Sequence, residues 1–191
     1  RALAYLRYGL SQGEGFIVVT GDIGAGKTTL VKSLLDELDP DRVIAAQLVT
    51  TRLAADEILR SVVAAFGLPF ENMGKAVLLK RFEDFLLEYA RRGRRVLLVV
   101  DEAQNLPVES LDELRMLSNF QVSATPLLQS FLLGQEGFRT TLHDPTMEQL
   151  RQRVIASCHL TPLSETETHD YIKHRLRVVG WQNGRPHFTD E

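Results

Sequence analysis

One short segment limits the possible folds of this chain more than any other: residues 21–28 read Gly-Asp-Ile-Gly-Ala-Gly-Lys-Thr. Glycine, four variable residues, glycine, lysine and threonine form the pattern of a phosphate-binding loop, which joins a strand to a helix. The flanking sequence fits, because the apolar run from Phe16 to Val19 predicts a buried strand and Thr29 to Leu38 carries apolar residues at helical spacing. The segment therefore predicts a site for a nucleoside triphosphate.

The residue types in this loop suit a bound phosphate chain. Glycine permits backbone angles that other residues avoid, so the three glycines let successive amide N–H groups converge on phosphate oxygens at a helix N-terminus. Lys27 is expected to reach the β and γ phosphates of ATP, and the Thr28 hydroxyl to ligate Mg²⁺. A glycine-rich turn without a ligand would not need lysine followed by threonine. The predicted nucleotide-binding residues are Gly21, Asp22, Ile23, Gly24, Ala25, Gly26, Lys27, Thr28 and Thr29.

Strand-like and helix-like segments alternate along the chain, which predicts an α/β fold with a parallel central sheet and helices on both faces. Continuous apolar strands such as 96–100 agree, because both faces of such strands are buried. The expected organisation is a three-layer P-loop core over residues 1–162, followed by the start of a helical lid at residues 163–191. Strands are predicted at 16–19, 43–49, 96–100, 127–133 and 159–160, and helices at 2–10, 29–38, 54–66, 75–92, 108–120, 138–143, 147–156 and 165–179, with Gly180 as the last cap.

An acidic pair, Asp101 and Glu102, follows the predicted strand 96–100. A carboxylate at the C-terminal end of a parallel strand faces the crevice where open sheets bind ligands, so Asp101 is expected to hold Mg²⁺ through its water shell. Glu102 is the candidate base, or orienting group, for the attacking water. Alone, the pair could equally cap a helix or face solvent. Together with the phosphate loop it predicts ATP hydrolysis.

Other nucleotide chemistries fit the sequence less well. The Asn-Lys-x-Asp element with which GTPases read guanine does not occur in the sequence. A nucleotide kinase agrees with the loop alone, but it would not require Glu102 beside Asp101. ATP and Mg²⁺ are therefore the expected ligands.

The composition excludes several classes of protein. With 44% hydrophobic residues and a formal net charge of -3, the chain has the make-up of an ordinary globular domain. Cys158 is the only cysteine, which excludes an internal disulfide and a cysteine-based zinc site, and it is expected to be a small buried residue. No apolar run approaches the roughly 20 residues that span a bilayer, and no secretory signal opens the chain. The cytoplasm is the expected compartment.

Three further features have competing interpretations. The basic run 91–95, Arg-Arg-Gly-Arg-Arg, is expected to be a solvated turn, with a contact to phosphates of nucleic acid or lipid as the alternative. Tyr5 and Tyr171 are expected in core packing, with contacts to adenine as the alternative. Trp181 is expected to anchor the last helix rather than to line a ligand pocket.

The chain resembles the ExeA/GspA group of AAA+ ATPases, and within it the secretion ATPases associated with exosortase/PEP-CTERM exopolysaccharide loci. The resemblance covers nearly the whole chain and rests on ALAYLRYGLSQGEGFIVVTGDIGAGKTTL, RRVLLVVDEAQNLP, LRMLSNFQ, LLQSFLLGQEGFR and LRQRVIASCHLTPLS, in that order. It implies an AAA+ fold and an ATPase that drives assembly or export of envelope material. It also implies secretion or export partners and a place at the inner face of the cytoplasmic membrane in the full-length protein.

The same resemblance implies two more site residues. Gln135 stands just past a predicted strand, where AAA+ ATPases carry a sensor residue that contacts the γ-phosphate or the water. Arg153, with Arg151 as second choice, stands where they carry an arginine finger that reaches the nucleotide of a neighbouring subunit, so a homo-oligomer is expected. Without the resemblance, either arginine could be the solvated end of a helix. The resemblance places a second sensor arginine beyond Glu191.

Two alternative functions share these motifs. One is a DNA-handling AAA+ regulator resembling the transposition ATPases TniB and TnsC, although nucleic acid is not the expected partner. The other is a nucleotide-gated binding module that hydrolyses little ATP.

Overall fold

The strand pattern builds one parallel sheet. In a computed structural model, which describes residues 2–49, 53–162, 164–178 and 180–181, the chain forms two compact units that meet in sequence between Leu160 and Thr161. The strands of the first unit are β1 (Phe16–Gly21), β2 (Val43–Val49), β3 (Arg95–Asp101), β4 (Gln121–Val122), β5 (Thr125–Pro126), β6 (Leu128–Gly134) and β7 (Val154–Leu160). Its helices are α1 (Ala2–Gln12), α2 (Lys27–Asp36), α3 (Ala55–Ala65), α4 (Lys75–Arg91), α5 (Val108–Leu117), α6 (Gly137–His143) and α7 (Glu148–Arg151), with short 3₁₀ helices at Ala103–Asn105 and Pro145–Met147.

Helices cover the sheet on both faces. The main sheet has the order β2-β3-β6-β1-β7, and every neighbouring pair of strands is parallel. Along β3, Leu98 and Val100 pack into a core with α3, α4 and α5, whereas Leu97 and Val99 pack into a second core with α1 and α2. This alternation buries both faces of the central strands and confirms the three-layer α/β/α fold.

The strand directions define where a ligand site forms. Since the strands are parallel, their C-terminal ends lie at one edge of the sheet, where β1 ends at Gly21, β3 at Asp101 and β6 at Gly134. Strand β1 lies beside β6, and β6 lies beside β3. The phosphate-loop sequence and the acidic pair are therefore brought to the same edge from distant parts of the chain.

The predicted helix 147–156 is wrong in its second half. Helix α7 ends at Arg151, and β7 begins at Val154. Residues of β7 pair with β1 from Phe16 to Gly21, and the Phe16 N–H donates to the Arg153 carbonyl at 2.9 Å. This pairing with a distant strand outweighs the helical spacing of the local sequence. Strand β7 also has half-exposed positions, so its sequence lacks the continuous apolar run that predicted the central strands.

The predicted helix 108–120 also ends early, at Leu117. The chain then forms a small antiparallel hairpin, in which β4 pairs with β5 across Ser123 and Ala124. Both turn residues have positive φ, 49° and 67°, which fits a two-residue hairpin turn. The sequence does not predict this hairpin, because Ser-Ala is not the Asn-Gly or Asp-Gly pair that is typical of such turns.

Other expectations from composition have mixed outcomes. Cys158 is half-buried, and burial raises the pKa of its thiol. Tyr5 and Tyr171 are 64% and 50% exposed, so the expectation of core packing is wrong for both. Among the described residues, no helix is both long and apolar enough to cross a bilayer.

The basic run is only partly a solvated turn. Arg91 and Arg92 are exposed, as expected. Arg95 is instead half-buried, and its Nη2 donates to the Leu10 carbonyl at 2.5 Å and to Gln129 Oε1 at 3.1 Å. Burial lowers the pKa of Arg95, and the side chain ties the end of α1 to the sheet.

The second unit contains α8 (Glu165–Val178). After the helix, Gly180 has a φ of 81°, its N–H donates to the Arg177 carbonyl at 3.0 Å, and the Trp181 N–H donates to the Leu176 carbonyl at 2.9 Å. Backbone bonds from a left-handed glycine and its successor commonly terminate helices. The predicted cap at Gly180 is confirmed.

Gly134 is expected to tolerate no side chain, which gives a test of the packing at the site edge. A Cβ there would lie 2.8 Å from the Phe138 Cβ and 2.9 Å from its ring, so Gly134→Ala should lower the free energy of unfolding by about 1–3 kcal/mol. Denaturant unfolding measures this loss. Gly137→Ala is the control, because a Cβ at Gly137 would meet nothing within 4 Å. Equal stability of the two variants would contradict the close packing of α6 on β6.

Candidate nucleotide-binding site

The loop between β1 and α2 has the backbone that a phosphate cradle needs. Gly24 and Gly26 have φ values of 79° and 83°, in the left-handed region that favours glycine. A Cβ at either position would meet nothing within 4 Å, so the backbone conformation rather than crowding requires glycine here. The Ala25 N–H donates to the Asp22 carbonyl at 3.2 Å and closes the turn. The loop then leads directly into the N-terminus of α2, where backbone N–H groups favour an anion.

Lys27 is held across this loop. Its side chain is only 7% exposed, and its Nζ donates to the Gly21 and Asp22 carbonyls, both at 2.9 Å. These acceptors are uncharged, so the two contacts fix the position of the ammonium without neutralising it. The sequence-predicted role, a positive charge presented to phosphate oxygens, agrees with this placement.

Thr28 and Asp101 meet although they lie far apart in the sequence. The Thr28 hydroxyl donates to Asp101 Oδ2 at 2.8 Å, and Gln47 Nε2 approaches the same carboxylate oxygen at 3.4 Å. Asp101 is 7% exposed, so its charge is largely shielded from bulk water. The contact joins the phosphate loop to the end of β3, as the sequence analysis expected of a shared Mg²⁺ site.

The donor atoms at this position fit magnesium. Mg²⁺ prefers hard oxygen ligands and keeps several waters, so a nucleotide site typically supplies one or two protein oxygens beside the phosphates. The Thr28 hydroxyl and the Asp101 carboxylate are such oxygens. In the described part of the chain, His, Cys, Asp and Glu side chains form no group of three or more that could hold a metal without the nucleotide. The hydroxyl and the carboxylate have the donor chemistry of a Mg²⁺ site in which phosphates supply further oxygens.

Glu102 lies beside Asp101 in a strained backbone conformation. Its φ of 56° and ψ of 39° place a non-glycine residue in the left-handed region, which costs on the order of 1 kcal/mol. Its N–H donates to Asp101 Oδ1 at 3.0 Å. Such strain is common at functional sites, and here it occurs between the end of β3 and the 3₁₀ helix Ala103–Asn105.

A glutamine that the sequence analysis missed connects Glu102 to Gln135. Gln104 Nε2 donates to Glu102 Oε2 at 2.5 Å, and Gln104 Oε1 accepts from the Gln135 backbone N–H at 3.0 Å. The Gln135 Nε2 lies 3.4 Å from the same glutamate oxygen. The structure thus brings the proposed base and the proposed sensor together. Only the short spacing from Glu102 could have suggested Gln104, and spacing alone does not reveal its contact with Gln135.

Neither candidate arginine joins this cluster. Arg153 directly precedes β7, at the N-terminal ends of the strands. Its carbonyl accepts from the Phe16 N–H at the start of β1, about 16 Å along β1 from the phosphate loop. Its guanidinium donates to Ser118 Oγ at 2.6 Å and to Asn119 Oδ1. Arg151 forms an ion pair with Glu148 on its own helix. At this distance, a role for Arg153 in ATP chemistry requires a second copy of the chain.

Comparison with known sequences agrees with this geometry. Residues 10–142 match the family described as AAA domain. The chain belongs to this family. Over 180 residues, or 94% of the chain, it is 38% identical to General secretion pathway protein A of Aeromonas hydrophila, and it spans 33% of that protein's length. The resemblance of this AAA chain to the GspA group, predicted from the sequence, is confirmed.

Solved structures show the same fold. The Aeropyrum pernix ORC2 protein, in ADPNP-ADP complexes, has a TM-score of 0.70 at 18% identity, covering 93% of this chain and 50% of that one. Cdc6p from Pyrobaculum aerophilum has a TM-score of 0.66 at 18% identity, covering 92% of this chain and 48% of that one. At this identity the likeness concerns the fold alone. It confirms the AAA+ type of P-loop fold.

Proposed function

We propose that this chain is the ATP-binding and Mg²⁺-dependent ATP-hydrolysing domain of an oligomeric AAA+ ATPase that energises or regulates envelope secretion or exopolysaccharide export. The observation that carries the proposal is the 2.8 Å hydrogen bond from Thr28 to Asp101, with Glu102 next to it. It joins the phosphate loop to an acidic strand end. A glycine-rich turn that binds no nucleotide is not expected to form a hydrogen bond with an acidic pair at the end of another strand.

The residues of the phosphate loop would bind and orient the triphosphate. Backbone N–H groups of residues 21–28 would bind the phosphates, and Lys27 would present its charge to the β and γ groups. Thr28 and Asp101 would hold Mg²⁺, which neutralises charge on the phosphate oxygens when bound. The buried setting of Lys27 and Asp101 strengthens these electrostatic interactions relative to bulk water.

The cluster at the end of β3 and β6 would act on the attacking water. Glu102 accepts or orients a water proton, while Gln135 contacts the γ-phosphate or the water from the neighbouring strand end. Gln104 fixes the position of both through its amide. Arg153 would then complete the site of a neighbouring copy, as an arginine finger stabilises charge in phosphoryl transfer.

The cellular role is supported by the relative's name and by the sequence resemblance. The 38% identical relative is General secretion pathway protein A, which supports work in secretion rather than in DNA handling. Because the chain spans only 33% of that protein, cargo and partners belong to the whole protein. We propose that it acts at the cytoplasmic face of the inner membrane.

Phosphate release from ATP tests the proposed function. The chain should release phosphate with Mg²⁺ and stop when EDTA is added, and turnover per chain should rise with protein concentration if Arg153 acts between copies. Double-stranded DNA should leave the rate unchanged. Turnover that requires DNA would favour a DNA-handling regulator, and ATP binding without turnover at any concentration would favour a nucleotide-gated binding module.

Gln104 is expected to act through Glu102 rather than on ATP. The Gln135 backbone N–H can only donate, so it fixes the Gln104 amide with its NH₂ group toward Glu102. Gln104→Ala should therefore lower kcat on the order of tenfold, with little change in KM for ATP. Steady-state kinetics measures both quantities. Gln12→Ala is the control, because Gln12 is an exposed glutamine on α1. Gln152→Ala is not suitable, because exposed Gln152 lies next to Arg153. Unchanged kcat in Gln104→Ala would remove Gln104 from the proposed site.

A further inference from the structure

Arg153 is fixed in place by both its backbone and its side chain. Its carbonyl accepts from the Phe16 N–H at 2.9 Å, and a Cβ on Gly15 would lie 2.6 Å from that same oxygen. Its guanidinium donates to the hydroxyl of Ser118, at 2.6 Å, and to the side-chain carbonyl of Asn119. Ser118 and Asn119 come directly after α5, far from Arg153 in the sequence. The arginine is thus held by two distant segments of the chain.

The chemistry of these contacts separates Arg153 from other arginines nearby. Arg151 is paired with the carboxylate of Glu148, and Arg115 with that of Asp112. The acceptors for Arg153 are a hydroxyl and an amide, which orient a guanidinium without cancelling its charge. A charge held in this way remains available for a phosphate, since guanidinium binds phosphate oxygens strongly and with a defined geometry.

The arginine also borders an open cavity of about 290 Å³ at this edge of the sheet. Ser118, Asn119, Gln121 and Gln152 line the cavity with uncharged polar groups, and Glu14 adds one carboxylate. Pro126 and Ile155 add apolar surface, so the accessible surface next to Arg153 is of mixed character. It lies at the sheet edge opposite the chain's own phosphate loop, so a nucleotide reached from here belongs to another copy.

We infer that Ser118 and Asn119 are positioning residues, which hold Arg153 in the orientation that a neighbouring copy's nucleotide requires. This inference rests on the proposed function, because it assumes that Arg153 acts on ATP in trans. It also selects Arg153 over Arg151 from contacts in the structure. The side chains of Ser118 and Asn119 contact Arg153, and on their other side the Arg115 carbonyl and the Met116 sulfur at the end of α5.

The competing explanation is a purely structural one, in which Arg153 joins α5 to β1 and β7 and supports the fold. A Ser118→Ala/Asn119→Ala double variant distinguishes the two. If the pair positions the arginine, kcat should fall on the order of tenfold while KM for ATP and the thermal unfolding midpoint change little. Ser110→Ala is the matched control, because this buried serine on α5 donates to the Leu53 carbonyl at 2.7 Å and not to Arg153. It should keep the wild-type kcat.

Mixing two defective chains gives the decisive readout. The Glu102→Gln chain retains Arg153 but lacks the proposed base, whereas the double variant retains its base but presents a poorly held arginine. Mixing them should restore turnover, because the Glu102→Gln chain supplies an intact arginine to the site of the double variant.

Ser118→Thr with Asn119 intact keeps a hydroxyl at the same position and should retain most of the activity.

The outcomes separate this inference from the proposed function. If Arg153→Ala is restored by mixing and the double variant is not, or if the double variant keeps the wild-type kcat, then Ser118 and Asn119 do not position the arginine. If Arg153→Ala itself keeps full turnover in an assembled complex, then the arginine finger of the proposed function is wrong. A double variant that loses both kcat and ATP affinity indicates the structural role and also overturns the inference.

Discussion

Glu102→Gln should bind ATP like the wild-type chain and hydrolyse it about a hundredfold to ten-thousandfold more slowly, the range expected when a general base is removed. Glutamine has nearly the shape of glutamate, so it can keep a neighbouring amide in place, but it cannot accept a proton from water. The Gln104 amide would face the new side chain at the position where it now meets the carboxylate. Phosphate release and equilibrium binding of a fluorescent ATP analogue, measured on one preparation, give the two quantities.

A remote glutamate provides the control for this substitution. Glu71 is exposed and lies outside the cluster, so Glu71→Gln changes the net charge by the same amount and should leave turnover unchanged. Wild-type turnover in Glu102→Gln would show that the base has been wrongly assigned. Loss of ATP binding in the same variant would instead show that Glu102 supports the loop rather than the chemistry.

Lys27→Ala should weaken ATP binding by about tenfold to a hundredfold, because hydrogen bonds to a charged group contribute about 1.5–3 kcal/mol each. The side chain now bridges the loop carbonyls of Gly21 and Asp22, so its removal also leaves the loop less firmly ordered. Turnover should fall at all accessible ATP concentrations. Titration with the same fluorescent analogue measures the change in Kd.

The matching lysine control is on the same helix. Lys32 lies on α2 and is exposed, so Lys32→Ala removes one positive charge without touching the loop. Its Kd for ATP should stay within about twofold of the wild-type value. Equal binding by Lys27→Ala and the wild-type chain would contradict the phosphate-loop assignment.

The phosphate loop and the acidic pair could be predicted because their constraints are local. Three glycines, a lysine and a threonine at fixed spacing specify a backbone as well as a ligand, and Gly24 and Gly26 have the positive φ that such a loop needs. The buried strands could also be predicted from the sequence, since β3 is apolar at successive positions on both faces. From these features the fold class followed directly.

Each site residue that was not predicted from the sequence makes at least one contact with a residue far along the chain. Gln104 contacts the Gln135 N–H because β6 ends next to it. Gln47 contacts Asp101 because β2 lies beside β3. Ser118 and Asn119 lie in the quoted string LRMLSNFQ, but nothing local shows that they bind a side chain from before β7. Polar contacts between separate elements depend on the order of the strands in the sheet, and the sequence pattern does not predict that order.

The errors in secondary structure have a similar cause. Strand β7 lies at the edge of the sheet and is only partly buried, so its sequence lacks the apolar run that identified β3. Its pairing with β1 determines its conformation. The hairpin of β4 and β5 depends on two turn residues with positive φ, neither of which is glycine. Both features form because of their neighbours in the fold rather than their own propensities.

A single-turnover experiment on the wild-type chain tests the central claim most directly. Radiolabelled ATP is bound first with EDTA present and the chain in excess, Mg²⁺ is then added without unlabelled ATP, and the label is followed as ATP or as free phosphate. If Lys27, Thr28, Asp101 and Glu102 form a hydrolytic site, the label should be converted to phosphate. Label that binds but stays intact ATP, at every protein concentration, would contradict the assignment.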